Sequence, residues 1–422
     1  MIKKSIFTVL LIGLLSLSHS LKAQLDTAQQ IDYSRKNSPT AQAQPYVILL
    51  SLDGFRWDLA AKYNAQNILS LAQSGVQAEK LIPSYPSLTF PNHYTVVTGQ
   101  HPAHHGLVDN HFYESTSQRY YVKSSVNGAT DSTWYGGTPL WMLAEAQGML
   151  SAVYFWPGSE HSKNGIRPSY YYKYNEVTPL PNRMQVVRNW LQLPPDRRPH
   201  FIAIYFPEID KAAHKFTAES EAAKNAVLQM DAMIGQLQNI MQVSSLAINL
   251  VIVSDHGMTA IDQSRTIPKP KALQSDDVVV PVGNALLNVH VKDKQKVPAL
   301  YKQLKLEAEG YEVYLQDKTP KKWHIRSKDD HFNRIGDIVL IPTLPRVFNI
   351  NNRMPDPGQH GFQANHPDMA GIFYAAGPQF KSNITLKPFQ NIHIYPLIAK
   401  ILNLDVTEKI DGKLKVLKKV LK

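Results

Sequence analysis

The sequence predicts an α/β fold in which a mostly parallel central sheet is covered by helices and carries a small antiparallel subdomain inserted late in the chain. Three observations predict it. The apolar runs Tyr46 to Leu52, Ala152 to Trp156, Phe201 to Phe206, Leu246 to Val253 and Gly371 to Ala376 are continuous rather than alternating, the pattern of strands buried on both faces. Helical periodicity lies between them, clearest in Ala223, Val227, Met230, Ile234, Leu237 and Met241, one apolar stripe at three- and four-residue spacing. From about Ile261 to Leu344 the composition turns rich in lysine and proline, with short alternating segments such as Leu286 to Val291. That segment is the predicted insertion.

Taken in chain order, the first element is an export signal. Lys3 and Lys4 precede the apolar run Ile6 to Leu17, and Leu21-Lys22-Ala23 follows as an imperfect small-residue cleavage pattern. The run is shorter than the roughly 20 apolar residues a spanning helix needs, so a cleaved leader over 1–23 is expected. The mature protein is then exported, periplasmic or extracellular, with no transmembrane segment. Residues 24–44 are polar and aperiodic and read as a linker. A catalytic domain follows over 45–405, then a basic tail over 406–422 whose lysines suit a solvated amphipathic helix.

Composition narrows the chemistry. The chain has no cysteine among 422 residues, which excludes disulfides, thiolate catalysis and cysteine-type zinc sites. Its formal charge of +11 suits a small anionic substrate and requires no nucleic-acid partner.

Chemistry-bearing residues follow the predicted strands. Tyr46 to Leu52 runs into Asp53-Gly54, Phe201 to Phe206 is followed by Asp210 and His214, and Leu246 to Val253 leads into Ser254-Asp255-His256-Gly257. In open parallel sheets ligands bind at the carboxyl ends of the strands, so three strands deliver carboxylates and imidazoles to one edge. Each signal alone has a plainer reading: an Asp after a strand caps a turn, and an Asp and His four apart form a surface pair. Together they predict a metal site. Mixed imidazole and carboxylate donors suit zinc, with manganese or iron as alternatives. The donor set is too large for one tetrahedral ion, and paired ions clamp both oxygens of a phosphoryl displacement.

The candidate nucleophile is Thr89, in Pro86-Ser87-Leu88-Thr89-Phe90-Pro91-Asn92-His93-Tyr94. Prolines on both sides stiffen the turn and suit a helix start. A hydroxyl there gains acidity from a cation and from the helix N-terminus. Read alone, Thr89 is an ordinary cap.

These strings resemble the nucleotide pyrophosphatase/phosphodiesterase branch of the alkaline phosphatase superfamily, as a bacterial secreted member. The resemblance rests on Thr89-Phe90-Pro91-Asn92-His93-Tyr94, Gly106-Leu107-Val108-Asp109-Asn110, Phe155-Trp156-Pro157-Gly158-Ser159, Asp210 with His214, Ser254-Asp255-His256-Gly257-Met258 and His360-Gly361-Phe362. It implies an alkaline phosphatase-like three-layer sandwich and a phosphodiesterase I / nucleotide pyrophosphatase activity. It implies two zinc ions, one held by Asp210, His214 and His360, the other by Asp53, Asp255, His256 and the Thr89 oxygen. Asn110 and the Thr89 amide would bind a phosphate oxygen, Thr89 would form a phosphothreonine, and Phe90, Tyr174 and Tyr205 would line the nucleotide pocket. The family pattern selects His360 over His366, because glycine follows the ligand.

Departures from the pattern are Leu88 and His111, where some nucleotide-cleaving relatives place lysines, and Glu160 in place of an aspartate. They leave open a non-nucleotide phosphodiester. A phosphomonoesterase on the same fold and a non-catalytic metal- or nucleotide-binding protein are the alternatives. No arginine follows Thr89 closely to clamp a monoester, and a binding protein would have little reason to keep Thr89, Asn110 and all the ligands.

Overall fold

The computed structural model describes residues 28–422, so the predicted leader and the first residues of the linker lie outside the described residues. Its centre is a mixed nine-stranded sheet: β1 (Gln30–Ile31), β2 (Tyr46–Leu52), β3 (Val76–Ala78), β4 (Ser151–Tyr154), β5 (Tyr170–Tyr172), β6 (Phe201–Phe206), β7 (Ile248–Val253), β8 (Phe373–Ala376) and β9 (Ile384–Leu386). Their spatial order is β1-β5-β4-β6-β2-β7-β8-β3-β9. The middle of the sheet, β5-β4-β6-β2-β7, is parallel throughout. β2, β6 and β7 are buried along their full lengths, which is why their sequences read as unbroken apolar runs.

The last predicted strand runs the other way. β8 pairs antiparallel with β7, Val253 opposite Phe373. A short apolar run carries no direction of its own. Here the direction follows from the route: the chain reaches β8 from the loop holding His360, at the carboxyl end of β7, and so must run back along it.

Helices cover the sheet in two groups. One gathers on α3 (Glu221–Ser244), joined by α2 (Glu208–Phe216) and by the helices Gln66–Ser74 and Leu180–Gln192. Ser220 caps α3 by accepting from the Ala223 amide. The predicted stripe of α3 is buried from Ala223 to Leu237. The other group includes α1 (Thr89–Thr98) and the helix Ile394–Ile401.

Between residues 261 and 344 lies a four-stranded antiparallel sheet of Val278–Val279, Leu287–Val291, Ile338–Pro342 and Tyr311–Leu315. It has its own small core, around Leu287, Val289, Leu304, Val313 and Leu340.

Both flanks of the predicted catalytic domain are docked more closely than their composition suggests. β1, inside the stretch read as a linker, pairs with β5. The Asn37 side chain bonds the carbonyls of Pro195 and Arg198 and the Leu150 amide. At the other end, Leu417 and Val420 are fully buried and Asp411 bonds the His101 amide and the His104 ring. The tail forms only the short turns Leu414–Leu417 and Lys418–Val420, not the amphipathic helix expected. Polar side chains and backbone pairing anchor the first segment, and the tail adds the buried Leu417 and Val420 to its polar contacts.

Candidate active site

The carboxyl edge of the parallel strands gathers the expected groups. Asp53 follows β2, Asp255 and His256 follow β7, and Asp210 and His214 lie one turn apart on α2 after β6. The loop before β8 adds His360. They form two sets, Asp210 with His214 and His360, and Asp53 with Asp255 and His256, and in each set one donor atom per residue lies within 4.8 Å of the others. The sets abut, with the His256 and His360 rings stacked at 3.6 Å. His366, the histidine set aside, is in neither set and accepts from the Asp368 amide.

Backbone geometry makes this convergence possible. Gly54 has φ of +69° and a side chain there would come within 2.9 Å of the Asp210 backbone, so only glycine lets α2 approach β2. The Gly54 amide donates to Asp255 Oδ1 at 3.2 Å.

The residues fit divalent cations. His214 Nδ1 is held by the Gly358 carbonyl at 2.8 Å, His360 Nδ1 by the Ser87 carbonyl at 3.0 Å and His256 Nδ1 by the Gly257 carbonyl at 2.9 Å. A ring that donates through Nδ1 turns a bare Nε2 lone pair forward, the usual support behind a metal-ligating imidazole. Two of these, His214 Nε2 and His360 Nε2, face each other at 3.1 Å. Asp53 Oδ1 and Asp210 Oδ1 are buried with no hydrogen-bond partner among the described residues, a costly arrangement unless each meets a cation.

The electrostatics favour a cation at Asp53 and a neutral ring at His360, whereas burial opposes charge on His256 but Asp255 outweighs it and raises that ring. Burial, with the charges of Asp210 and Asp255, pushes the Asp53 carboxyl well above the usual range. Burial acts the same way on Asp255, but His256 and His93 outweigh it and hold that carboxyl well below its ordinary value. Burial, with the charges of His256 and His214, drives His360 well down. Bound cations relieve the carboxylate repulsion and need the imidazoles neutral.

Thr89 opens α1, whose first amides have no helical partner. Its Oγ1 lies 3.3 Å from His256 Nε2, at the edge of the second set. Asn110 Oδ1 accepts from the Phe90 amide at 3.1 Å, which ties the Asn110 loop to the start of α1 and leaves the Asn110 amide nitrogen as its remaining donor group.

The three expected pocket aromatics divide. Phe90 has Tyr121 as its ring neighbour at 6.5 Å and the Lys123 ammonium at 5.9 Å. Tyr174 is 40 % exposed, and its amide is held by Glu160. Its ring lies 6.1 Å from Tyr205. Tyr205 is buried, and its hydroxyl bonds Asp53 Oδ2 at 2.5 Å.

Several contributors carried no role in the sequence reading. His93 sits 2.9 Å from the Thr89 carbonyl, 3.2 Å from Asp255 Oδ2 and 2.8 Å from Ser51 Oγ. Its spacing four residues after Thr89, one helical turn, was a usable signal. Ser87 and Gly358 act through their carbonyls, which no sequence pattern announces. Lys123 bonds the Asn110 carbonyl through its amide at 3.1 Å, bringing a cation to the side where His111 lacks one.

The family profile for type I phosphodiesterase / nucleotide pyrophosphatase matches residues 47–366. The chain belongs to that family. Its members are hydrolases, and the metal-binding character of the family agrees with the clustered donors. The chain is 33 % identical over 386 residues to an uncharacterized pyrophosphatase/phosphodiesterase of Schizosaccharomyces pombe, covering 87 % of this chain and 79 % of that protein. It is 32 % identical to human ectonucleotide pyrophosphatase/phosphodiesterase family member 1, over 87 % of this chain and 41 % of the human protein. It is also 32 % identical to venom phosphodiesterase of Naja atra, over 88 % and 46 %. This family member therefore spans less than half the length of those two relatives. Human ectonucleotide pyrophosphatase/phosphodiesterase 5 superposes with a TM-score of 0.83 at 25 % identity, covering 89 % of this chain and all of that one. The murine counterpart, solved as an inactive threonine-to-alanine variant in complex with AMP, gives 0.83 at 24 % identity, over 90 % of this chain and all of that one. The fold is thus the alkaline phosphatase-like α/β fold of these enzymes. No helix among the described residues is long and apolar enough to cross a membrane.

Proposed function

We propose that this chain is an exported two-metal phosphodiesterase that cleaves nucleotide phosphodiester or phosphoanhydride bonds through a phosphothreonine at Thr89. One observation carries the reading: three imidazoles, each fixed through Nδ1, turn Nε2 toward carboxylates in two adjoining sets, with the Thr89 hydroxyl at their edge.

Asp210, His214 and His360 would hold one divalent cation, and Asp53, Asp255, His256 and Thr89 the other. Zinc suits these donors best. When bound, the pair supplies positive charge that acidifies a nearby hydroxyl and offsets charge on attacking and leaving oxygens.

The chain's own residues do the rest. The start of α1 fixes Thr89 Oγ1, and the positive end of the helix dipole favours a developing negative charge there. Asn110 Nδ2 and the Thr89 amide receive a non-bridging phosphate oxygen, a preorganised pair of donors. Thr89 Oγ1 gives up its proton and attacks phosphorus in line. The bond from phosphorus to the departing oxygen breaks, and that product takes a proton from water. A water molecule then attacks phosphorus from the vacated side, releasing phosphate monoester and restoring the hydroxyl. Phe90 and Tyr174 supply faces for a base, and AMP in the murine relative supports a nucleotide substrate. The venom and ectonucleotide relatives support export.

The test compares hydrolysis of para-nitrophenyl-thymidine monophosphate with para-nitrophenyl phosphate on metal-analysed protein. Faster diester turnover is expected. Faster monoester turnover would replace this reading with a phosphomonoesterase.

A further inference from the structure

His366 stands six residues after His360, yet it lines a different cavity. That cavity holds about 380 Å³ and is bordered by Lys80, Lys322, His101, His366, Tyr85 and Trp323. None of the residues assigned to catalysis borders it. Its volume is within the range of small-molecule sites.

The lining is one-sided in charge. Two lysines border the cavity and no aspartate or glutamate does; its two histidines add no positive charge, since burial pushes His101 down to about 3 and His366 accepts from the Asp368 amide. Just beyond this cavity Lys387 has Glu79 at 2.7 Å. Among the described residues neither Lys80 nor Lys322 has a carboxylate at ion-pair distance; the Lys80 ammonium rests instead over the Trp57 ring at 4.1 Å. The remaining wall is aromatic. Tyr85 and Trp323 stack at 4.7 Å, and both the Tyr85 hydroxyl and Trp323 Nε1 are buried with no hydrogen-bond partner among the described residues. Buried donors without partners are uncommon and ask for an explanation.

The walls also continue into the catalytic cleft. Tyr85 leads directly into the Pro86–Thr89 turn, and His366 follows the His360–Phe362 loop. Ser87 ties these together, its Oγ donating to the Phe362 carbonyl at 2.7 Å and its own carbonyl holding His360 at 3.0 Å.

We propose that this cavity is a second site, outside the catalytic cleft, for an organic phosphate of nucleoside monophosphate size. The ammonium groups meet the phosphate and the Tyr85–Trp323 wall meets the ring. Naming the product nucleotide as its natural ligand rests on the proposed reaction; the charge and shape of the cavity do not.

The test counts bound AMP per metal-loaded full chain by calorimetry, for the wild type and for a Lys80→Gln/Lys322→Glu variant. Both substitutions are of surface side chains outside the catalytic cleft, so hydrolysis of para-nitrophenyl-thymidine monophosphate should keep its wild-type rate. The variant is expected to bind one AMP fewer than the wild type. An unchanged count and affinity would overturn the site. If the catalytic reading is wrong, diester turnover fails in the wild type while the lysine-dependent equivalent of AMP persists, so the two failures are distinct. Titration with inorganic phosphate separates the ligand sources. Phosphate that displaces this AMP only weakly is expected, whereas displacement at equal affinity would overturn the assignment to an organic phosphate.

Discussion

The Tyr205 hydroxyl donates to Asp53 Oδ2 at 2.5 Å, while Asp53 Oδ1 stays without a partner on the side of the cation set. A ring expected to line the nucleotide pocket is therefore bonded to a proposed metal ligand. It packs edge-on against His93 at 4.9 Å, so both neighbours of Asp255 and Asp53 are braced from behind.

Tyr205→Phe keeps this packing and removes only the hydrogen bond. Metal affinity should fall by roughly 10- to 100-fold, the usual cost of losing the partner behind a ligand. Metal titration followed by elemental analysis measures it. Wild-type affinity would return Tyr205 to the substrate pocket.

Thr89→Ala should lose turnover by about a thousandfold or more, as removal of a nucleophile does elsewhere. The other six proposed ligands remain, so metal content should stay close to that of the wild type. Single-turnover assays after acid quench should trap a phosphorylated chain in the wild type only. Near-normal activity in the variant would end the covalent role.

Tyr174→Ala removes an exposed ring that Glu160 positions by its amide. Base stacking is worth about 1–3 kcal/mol, so the specificity constant for nucleotide diesters should drop while that for an aryl methylphosphonate holds. Equal losses on both substrates would mark Tyr174 as packing.

The C-terminal segment is held by a pH-dependent ion pair. His104 Nδ1 lies 2.7 Å from Asp411 Oδ2. Burial opposes charge on His104, but the bond and charge of Asp411, with Asp329 beyond it, raise the imidazole above its ordinary 6.5. Burial likewise opposes charge on Asp411, and the His104 and His101 contacts outweigh it, bringing the carboxyl to about 2. The raised group stabilises fully below pH 6.5 and loses that contribution as pH rises through its folded value. The lowered group stabilises above 3.8 and loses it as pH falls toward 2. His101, His324 and His331 face the same pair. Melting temperature should therefore decline above neutrality in the wild type, and Asp411→Asn should flatten that decline. A parallel decline in the variant would remove the pair from the explanation.

Much of the site was legible because strands buried on both faces leave continuous apolar runs, and the residues just past them fall at one edge. Asp53, Asp210, His214, Asp255 and His256 were found that way. His360 was not, since it stands on a loop with no periodic signal, and only its likeness to a family string separated it from His366. Lys123 and Ser87 escaped for a similar reason: one reaches the site from the far end of a hairpin, the other through a backbone carbonyl.

By itself the sequence determined the parallel centre of the sheet, the acidic and imidazole residues at its carboxyl edge, and the threonine at a helix start. Those depend on local apolar pattern and on neighbours along the chain. Tertiary structure decided the reversed direction of Phe373–Ala376, the stacking of His256 on His360, and the turning of Tyr205 onto Asp53. Each depends on which distant atoms meet, and hydrogen-bond partners far apart in the chain leave no period for the sequence to display.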